Sequence, residues 1–129
     1  LLDRIDIQLE VPRIPIEELR KTENKGETDS FQDQIIAARK IQEERFSKFE
    51  PKIYCNAEMS SKLSEQFVKL DKSADAFLKQ ILEKSFMSAR GYFRLLKVAR
   101  TIADLEASSI VKTEHLAEAF QYRLKTNGQ

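Results

Sequence analysis

The first apolar positions of the chain alternate with polar ones at a period of two. Apolar side chains occupy every second position from Ile5 to Val11, which is typical of a strand with one buried face. Pro12 and Pro15 end the alternation. No later segment repeats it, so the sequence predicts one N-terminal orphan strand whose sheet partners belong to another part of a longer protein.

After this strand, residues 20–30 are polar and include Gly26, which indicates an exposed linker loop. From residue 31 onward the apolar positions recur at the three- and four-residue spacing of amphipathic helices. The expected fold class is therefore mainly α, a small helical bundle with one orphan strand. The predicted helices cover about 31–49, 60–69, 71–85 and 89–107, followed by a last one that Thr113 caps.

Each predicted helix has an apolar side that should face the core. Asp71 or Ser73 is expected to start the third helix, and Ser88 is a good N-cap for the fourth and longest one. The positions expected to face inward are Phe31, Ile35, Ala38, Phe46, Phe49, Leu63, Phe67, Leu70, Ala74, Phe77, Leu78, Ile81, Leu82, Tyr92, Leu95, Leu96, Ala99, Ile102, Ala103, Leu116, Ala119 and Phe120.

The composition narrows the function classes only slightly. The chain has 129 residues, with 22 Lys plus Arg against 21 Asp plus Glu, so its net charge argues neither for nor against nucleic acid. A single cysteine, Cys55, allows no internal disulfide and suits a reducing compartment. Without a long apolar run or a signal peptide, we expect a cytoplasmic protein with no membrane contact. The chain opens with Leu1 inside a structured pattern, which indicates a piece of a longer protein.

No motif for a self-contained active site is present. The three glycines are scattered and form no loop ending in Gly-Lys-Ser or Gly-Lys-Thr, and one His with one distant Cys does not match metal-ligand spacing. His115 could serve as a base, but we expect a surface histidine in the first turn of the last helix. Cys55 is better explained as a partly buried small apolar residue than as a nucleophile.

Arginine offers the remaining candidate chemistry. Residues 84–103 carry five basic side chains and no acidic one. At 100° per residue, one narrow stripe of the longest helix contains Arg90, Arg94, Lys97, Thr101 and Asp104. A solvated basic face is the simpler interpretation. The alternative is an anion site, because Arg90 lies in the first turn, where free N–H groups and the helix dipole favour a phosphate.

Arg4, between Asp3 and Asp6, is the second candidate. An ion pair with a neighbouring acid is the simpler interpretation, but such exposed pairs are worth only about 0–1 kcal/mol.

These candidate residues lie in segments that resemble a known family. Leu1–Asp6 resembles the LLDRxD signature of magnesium chelatase-like AAA+ ATPases, and Ser88–Leu105 resembles their lid signature, in which SAR is followed by VARTIADL. His115–Ala119, with the later Tyr-Arg pair at 122 and 123, is similar to the family's closing HLAEA…YR. The resemblance spans nearly the whole chain, and VARTIADL is most similar to the ComM/YifB branch. Residues 91–93, Gly-Tyr-Phe, depart from the Ala-Tyr-His expected there.

The resemblance implies a hexameric ATPase that holds ATP and Mg²⁺ between subunits. Arg4 then corresponds to the arginine finger and Arg90 to the sensor-2 arginine of the lid. Residues 1–19 would end the AAA+ core, 20–30 would be the linker and 31–129 the lid domain. The nucleotide-binding Walker motifs would lie upstream, so this chain alone should not hydrolyse ATP.

For the whole protein, the ComM branch implies a DNA-acting motor for branch migration during uptake and recombination. Two alternatives stay open: the ATPase subunit of a metal chelatase that acts on a partner protein, and a helical interaction module without a nucleotide role.

Overall fold

The computed structural model describes residues 5–9 and 25–123, and over these residues the fold is a bundle of helices. The α-helices are α1 (Lys25–Phe46), α2 (Ser61–Phe67), α3 (Lys72–Lys84), α4 (Ala89–Leu105) and α5 (Thr113–Gln121), with one 3₁₀ turn at Asn56–Glu58. The only bridge of β type in this part of the chain is a single parallel pair between Leu70 and Val111. The predicted mainly α fold is confirmed.

Short polar side chains begin three of the helices. Ser60, Asp71 and Ser88 each accept a hydrogen bond from the backbone N–H three residues further on, at 3.2, 2.7 and 3.0 Å. Each bond satisfies one of the amides that a helix leaves unpaired at its start. The predicted caps at Asp71 and Ser88 are therefore confirmed.

The start of α5 differs from the prediction. The N-cap position is Lys112, and the hydroxyl of Thr113 is buried with no hydrogen-bond partner among the described residues. The ring of His115 turns back instead, and its Nδ1 accepts the N–H of Lys112 at 2.9 Å. The prediction that Thr113 caps this helix is wrong, because Thr113 is the first helical residue and the carbonyl of Lys112 already accepts from the N–H of Leu116 at 3.2 Å.

Helix α4 lies at the centre of the core. Five of its predicted inward residues are at most 9% exposed: Leu95, Leu96, Ala99, Ile102 and Ala103. Buried side chains of the other helices join them in one cluster, among them Phe46 of α1, Ala74 and Leu78 of α3, and Leu116 and Ala119 of α5. This burial of apolar area holds the bundle together and fixes which sides of α4 stay open.

The N-terminal half of α1 departs from the sequence expectation in two ways. Residues 25–30, predicted as part of the loop, are helical. Phe31 and Ile35 were expected to face the core, yet they are 57% and 51% exposed, because no described residue covers this half of the helix. The proposed domain boundaries are not tested by these differences.

The orphan strand predicted over residues 5–11 lies partly outside the described residues and stays a prediction. Residues 5–9 have no regular secondary structure, and the N–H of Gln8 donates to the carbonyl of Tyr122 at 2.9 Å. Among the described helices, none has the length and apolar character needed to cross a membrane.

Candidate anion-binding site on the longest helix

The N-terminal half of the α4 stripe borders an open groove of about 410 Å³. Arg90 is exposed, whereas Arg94 and Lys97 are partly exposed. All three line the groove, whose other walls come from the 3₁₀ turn, the start of α2 and the N-terminal segment. Among the described residues, Asp6 is the one acidic residue that lines it. The predicted stripe therefore forms one wall of a cationic groove.

Arg90 is the basic residue of this groove that has no partner in the part of the chain that the structure describes. It lies in the first turn of α4, directly behind the Ser88 cap. Within residues 5–9 and 25–123 its guanidinium makes no hydrogen bond or ion pair, so its donors face solvent at the positive end of the helix dipole. A planar guanidinium in this position is free to hold two oxygens of an anion at once.

The other two cations of the groove already have partners. Arg94 forms an ion pair with Asp6, while its Nε is buried and has no hydrogen bond to another described residue. Lys97 donates from Nζ to the carbonyl of Ala57 at 3.3 Å. The three basic side chains thus lie on one side of the same helix but differ in how many of their donors are already bound within the protein.

The C-terminal half of the same stripe is buried in an ion network. The side chain of Asp104 is fully buried, and its two carboxylate oxygens accept from Nη2 and Nη1 of Arg45 at 2.7 and 2.9 Å. Nε of Arg100 adds a contact at 3.2 Å and Nδ2 of Asn56 one at 2.8 Å. The interpretation of the whole stripe as a solvated basic face is wrong for this half, because α1 and the 3₁₀ turn cover it.

Arg100 uses the rest of its guanidinium to hold the loop after α4. Its Nη1 donates to the carbonyl of Ser109 at 3.0 Å, and Nη2 donates to the carbonyl of Ser108. Burial lowers the pKa of Arg100 from its ordinary value, and the neighbouring Asp104 carboxylate opposes that shift. Each end of this arginine is therefore occupied, and none of it is available to a ligand.

The network also fixes the turn that forms a wall of the groove. The backbone N–H of Asn56 donates to Oε1 of Gln42 at 2.9 Å, and its side chain bonds Arg45 and Thr101. The next residue, Ala57, lines the cationic groove. The buried charges at one end of α4 thus position the wall that faces Arg90 at the other end.

Sequence reasoning missed the residues of α1 and the turn in this network. Arg45 and Asn56 lie 59 and 48 residues from Asp104, so no local pattern links them. One signal was present, because Arg100 and Asp104 are four residues apart and such residues are neighbours on a helix.

Glycine at position 91 makes room for a buried arginine. A Cβ added to Gly91 would lie 2.9 Å from Nη2 of Arg123 and 3.1 Å from Cγ of Met87. Arg123 is only 7% exposed, so it packs against the first turn of α4. This packing gives a physical account of one departure from the family pattern, immediately beside Arg90.

His115 is 1% exposed, so the prediction of a surface histidine is wrong. Its Nδ1 accepts the Lys112 amide, which leaves Nε2 to donate to Glu106 at 2.6 Å. Glu114 lies close enough to complete a set of three potential metal ligands. With both ring nitrogens engaged, His115 has no lone pair for a metal ion, and its role is structural.

Two further candidates have simpler outcomes. Cys55 is partly buried, as expected, at the start of the 3₁₀ turn. Arg4 lies outside the described residues, so its proposed role is untested.

Comparison with known proteins gives a consistent relationship. Residues 25–123, which include all the helices α1 to α5, match the family described as magnesium chelatase, subunit ChlI C-terminal. Over 123 residues, 95% of this chain, the sequence is 41% identical to competence protein ComM of Haemophilus influenzae and 40% identical to YifB of Escherichia coli. The chain spans 23% of the length of each of these relatives. The expected similarity to ComM and YifB is confirmed, and the chain belongs to the magnesium chelatase ChlI C-terminal family.

Proposed function

We propose that this chain is the helical lid of an AAA+ ATPase and that Arg90 contacts the phosphates of a nucleotide bound between subunits. The observation that carries the proposal is the guanidinium of Arg90 in the first turn of α4, which pairs with none of the described residues and lines the open cationic groove. Membership of the magnesium chelatase C-terminal family supports the same role for the chain as a whole. The ATPase activity belongs to the full-length protein.

The groove has the chemistry that a triphosphate with Mg²⁺ needs along one side. Arg90 offers paired donors for two phosphate oxygens, and Lys97 adds a point charge two turns further along the helix. In phosphoryl transfer the bound nucleotide supplies a γ-phosphoryl group whose oxygens need positive charge around them. We assign Arg90 the role of sensor 2, which orients this group and reports its presence to the lid.

Arg4 is the proposed arginine finger, which reaches the γ-phosphate held by a neighbouring subunit of a hexamer. A finger arginine contributes about 10³–10⁵ in rate to related ATPases and GTPases. The support is its position in the LLDRID segment, which resembles the family signature.

A DNA-acting motor is the proposed setting of this ATPase. The support is the 41% identity to a relative whose name is competence protein. The alternative, a metal chelatase ATPase that acts on a partner protein, is favoured by the description of the matching family. Stimulation of ATP turnover by branched DNA would favour the motor, and stimulation only by a porphyrin-binding partner protein would favour the chelatase.

The test of Arg90 uses the full-length protein and three variants. Arg90→Ala should lower ATP turnover by orders of magnitude while the melting temperature of the lid changes little. Arg90→Lys should restore only part of the rate, because an ammonium cannot reproduce the paired contact. Arg39→Ala is the matched control, since Arg39 is an exposed arginine of α1 away from the groove. Normal turnover by Arg90→Ala would show that Arg90 has no part in catalysis and that the sensor-2 assignment is wrong.

The test of Arg4 depends on its action across subunits. Arg4→Ala should abolish turnover without unfolding the protein. Mixing this variant with one that lacks the Walker lysine should recover some activity, because the two defects can separate into different sites of a mixed hexamer. No recovery at any ratio, with mixed hexamers verified, would assign Arg4 a purely structural role.

A further inference from the structure

The ion pair between Asp6 and Arg94 joins two distant parts of the chain. It spans 88 residues and connects the N-terminal segment to the middle of α4. Asp6 is 47% exposed and the Arg94 side chain is 26% exposed, so solvent and small ligands can reach the pair. To other described residues, the segment 5–9 makes one more hydrogen bond, from the N–H of Gln8 to the carbonyl of Tyr122. The segment is therefore held to the bundle by few polar contacts.

Asp6 and a bound anion would draw on the same cation. Arg94 lies four residues after Arg90, so the two side chains are neighbours on the same side of α4. Both side chains line the groove, so an oxyanion held there by Arg90 would have Arg94 as a neighbour. A phosphate carries more negative charge than a carboxylate, and its oxygens match the same planar donors.

We infer that Asp6 and a phosphate group compete for Arg94, so that anion binding in the groove detaches residues 5–9 from α4. The identity of the anion as a nucleotide rests on the proposed function, whereas the competition itself rests on the ion pair and the groove. Arg4 stands two residues before Asp6, at most about 7 Å of extended chain away. Occupation of the groove in one subunit would therefore free the segment that leads to the arginine proposed to act on its neighbour.

The experiment uses the 129-residue chain with inorganic tripolyphosphate as the probe. Backbone amide exchange of Gln8, followed by NMR, reports whether the N-terminal segment is docked. Saturating tripolyphosphate should speed this exchange several-fold in the unchanged chain. In Asp6→Asn the exchange should be fast without the probe and should not respond to it. Removing the competitor should also tighten binding of the probe by about two- to fivefold, in line with the usual strength of exposed ion pairs.

Glu65→Gln is the matched charge control. Glu65 is exposed on α2 and close enough to α4 that, after burial, its charge is a further cause of the raised pKa of Tyr92. The substitution Glu65→Gln changes the net charge by the same amount as Asp6→Asn, but it leaves the ion pair of Arg94 in place. This variant should bind tripolyphosphate with nearly unchanged affinity, and its Gln8 exchange should still respond to the probe. Circular dichroism verifies that each variant has the helical content of the unchanged chain.

The possible results distinguish the competition between Asp6 and phosphate for Arg94 from the binding of phosphate in the groove. If binding saturates and depends on Arg90 while Gln8 exchange ignores the probe, the competition is wrong and the phosphate site stands. The competition is also wrong if Asp6→Asn and Glu65→Gln shift the affinity equally. If neither the unchanged chain nor Asp6→Asn shows saturable binding, the groove is not a phosphate site and both proposals fail.

Discussion

The two ends of α4 carry arginines in opposite circumstances. Arg90 in the first turn is exposed and has no partner among the described residues. Arg100, three turns later, is 2% exposed, and its guanidinium donates to the Asp104 carboxylate and to the carbonyls of Ser108 and Ser109. Both belong to one motif block of the sequence and have the same side chain. The difference teaches that an arginine becomes available to a ligand only where the surrounding fold leaves its donors unsatisfied.

Packing around the helix produces this difference. At the C-terminal end, α1 and the 3₁₀ turn cover the helix and supply Arg45 and Asn56, so two guanidinium groups share one buried carboxylate. Burying charge is costly unless each group is paired and hydrogen-bonded, and here the contacts meet that condition. At the N-terminal end the groove stays open, and the charges there remain solvated.

Removal of the buried carboxylate should have the largest effect on stability. Asp104→Asn keeps the size of the side chain but leaves Arg45 and Arg100 without a counter-charge in the interior. We expect the free energy of unfolding to fall by about 3–5 kcal/mol, as found when one member of a buried ion pair is lost. Urea denaturation measures this change.

Asp75→Asn is the control for the same substitution on the surface. Asp75 pairs with Lys79 one turn away, and both side chains are more than half exposed. Its loss should cost less than about 0.5 kcal/mol. Equal losses for Asp104→Asn and Asp75→Asn would contradict the assignment of a structural role to the buried network.

Substitution of arginine by lysine should destabilise the protein more at the C-terminal end of α4 than at its N-terminal end, by less than the loss of Asp104 does. Arg100→Lys keeps the charge but cannot reach Asp104 and two carbonyls together, so buried acceptors lose their donors. The expected loss is about 1–3 kcal/mol in the free energy of unfolding. Arg90→Lys, at an exposed position without partners, should change that free energy by less than about 0.5 kcal/mol.

Turnover should show the reverse order for these two variants. Arg90→Lys is expected to slow ATP hydrolysis in the full-length protein at temperatures where it is fully folded. Arg100→Lys should hydrolyse ATP normally at such temperatures. If Arg100→Lys proves slow while folded, the two arginines do not divide structure and function as proposed.

Local patterns predicted much of this molecule. The helical spacing of apolar residues located α4 and its buried side, and the cap residues Asp71 and Ser88 marked two helix starts to within a residue. These features depend on neighbours in sequence, which a single sequence displays. The same periodicity also placed Arg90 at the first turn of the helix, where the open groove lies.

Non-local packing explains what sequence reasoning got wrong. The helical stripe grouped Asp104 with Arg90, but burial of Asp104 depends on Arg45, which lies 59 residues away. His115 was expected at the surface because it is polar, yet it is buried, and its Nε2 hydrogen-bonds to Glu106 at the end of α4. Phe31 looks like a core residue by spacing, yet no described element covers it. In each case the deciding neighbour is supplied, or withheld, by tertiary packing.

Lys97→Ala should have the smallest effect on stability and on ATP turnover. This variant tests whether any positive charge in the groove can take the role proposed for Arg90. Among the described residues, the Lys97 side chain makes one hydrogen bond, from Nζ to the carbonyl of Ala57 at 3.3 Å, and it is partly exposed. Lys97→Ala should therefore lower the free energy of unfolding by less than about 0.5 kcal/mol. In the full-length protein we expect ATP turnover within a few fold of normal, because an ammonium two turns from the helix start lacks both the paired donors and the dipole that favour Arg90. ATPase rates measured beside melting curves for Lys97→Ala and Arg90→Ala make the comparison. If both variants lose activity alike, the groove acts through its summed positive charge, and the unpaired state of Arg90 is not what distinguishes the two ends of the helix.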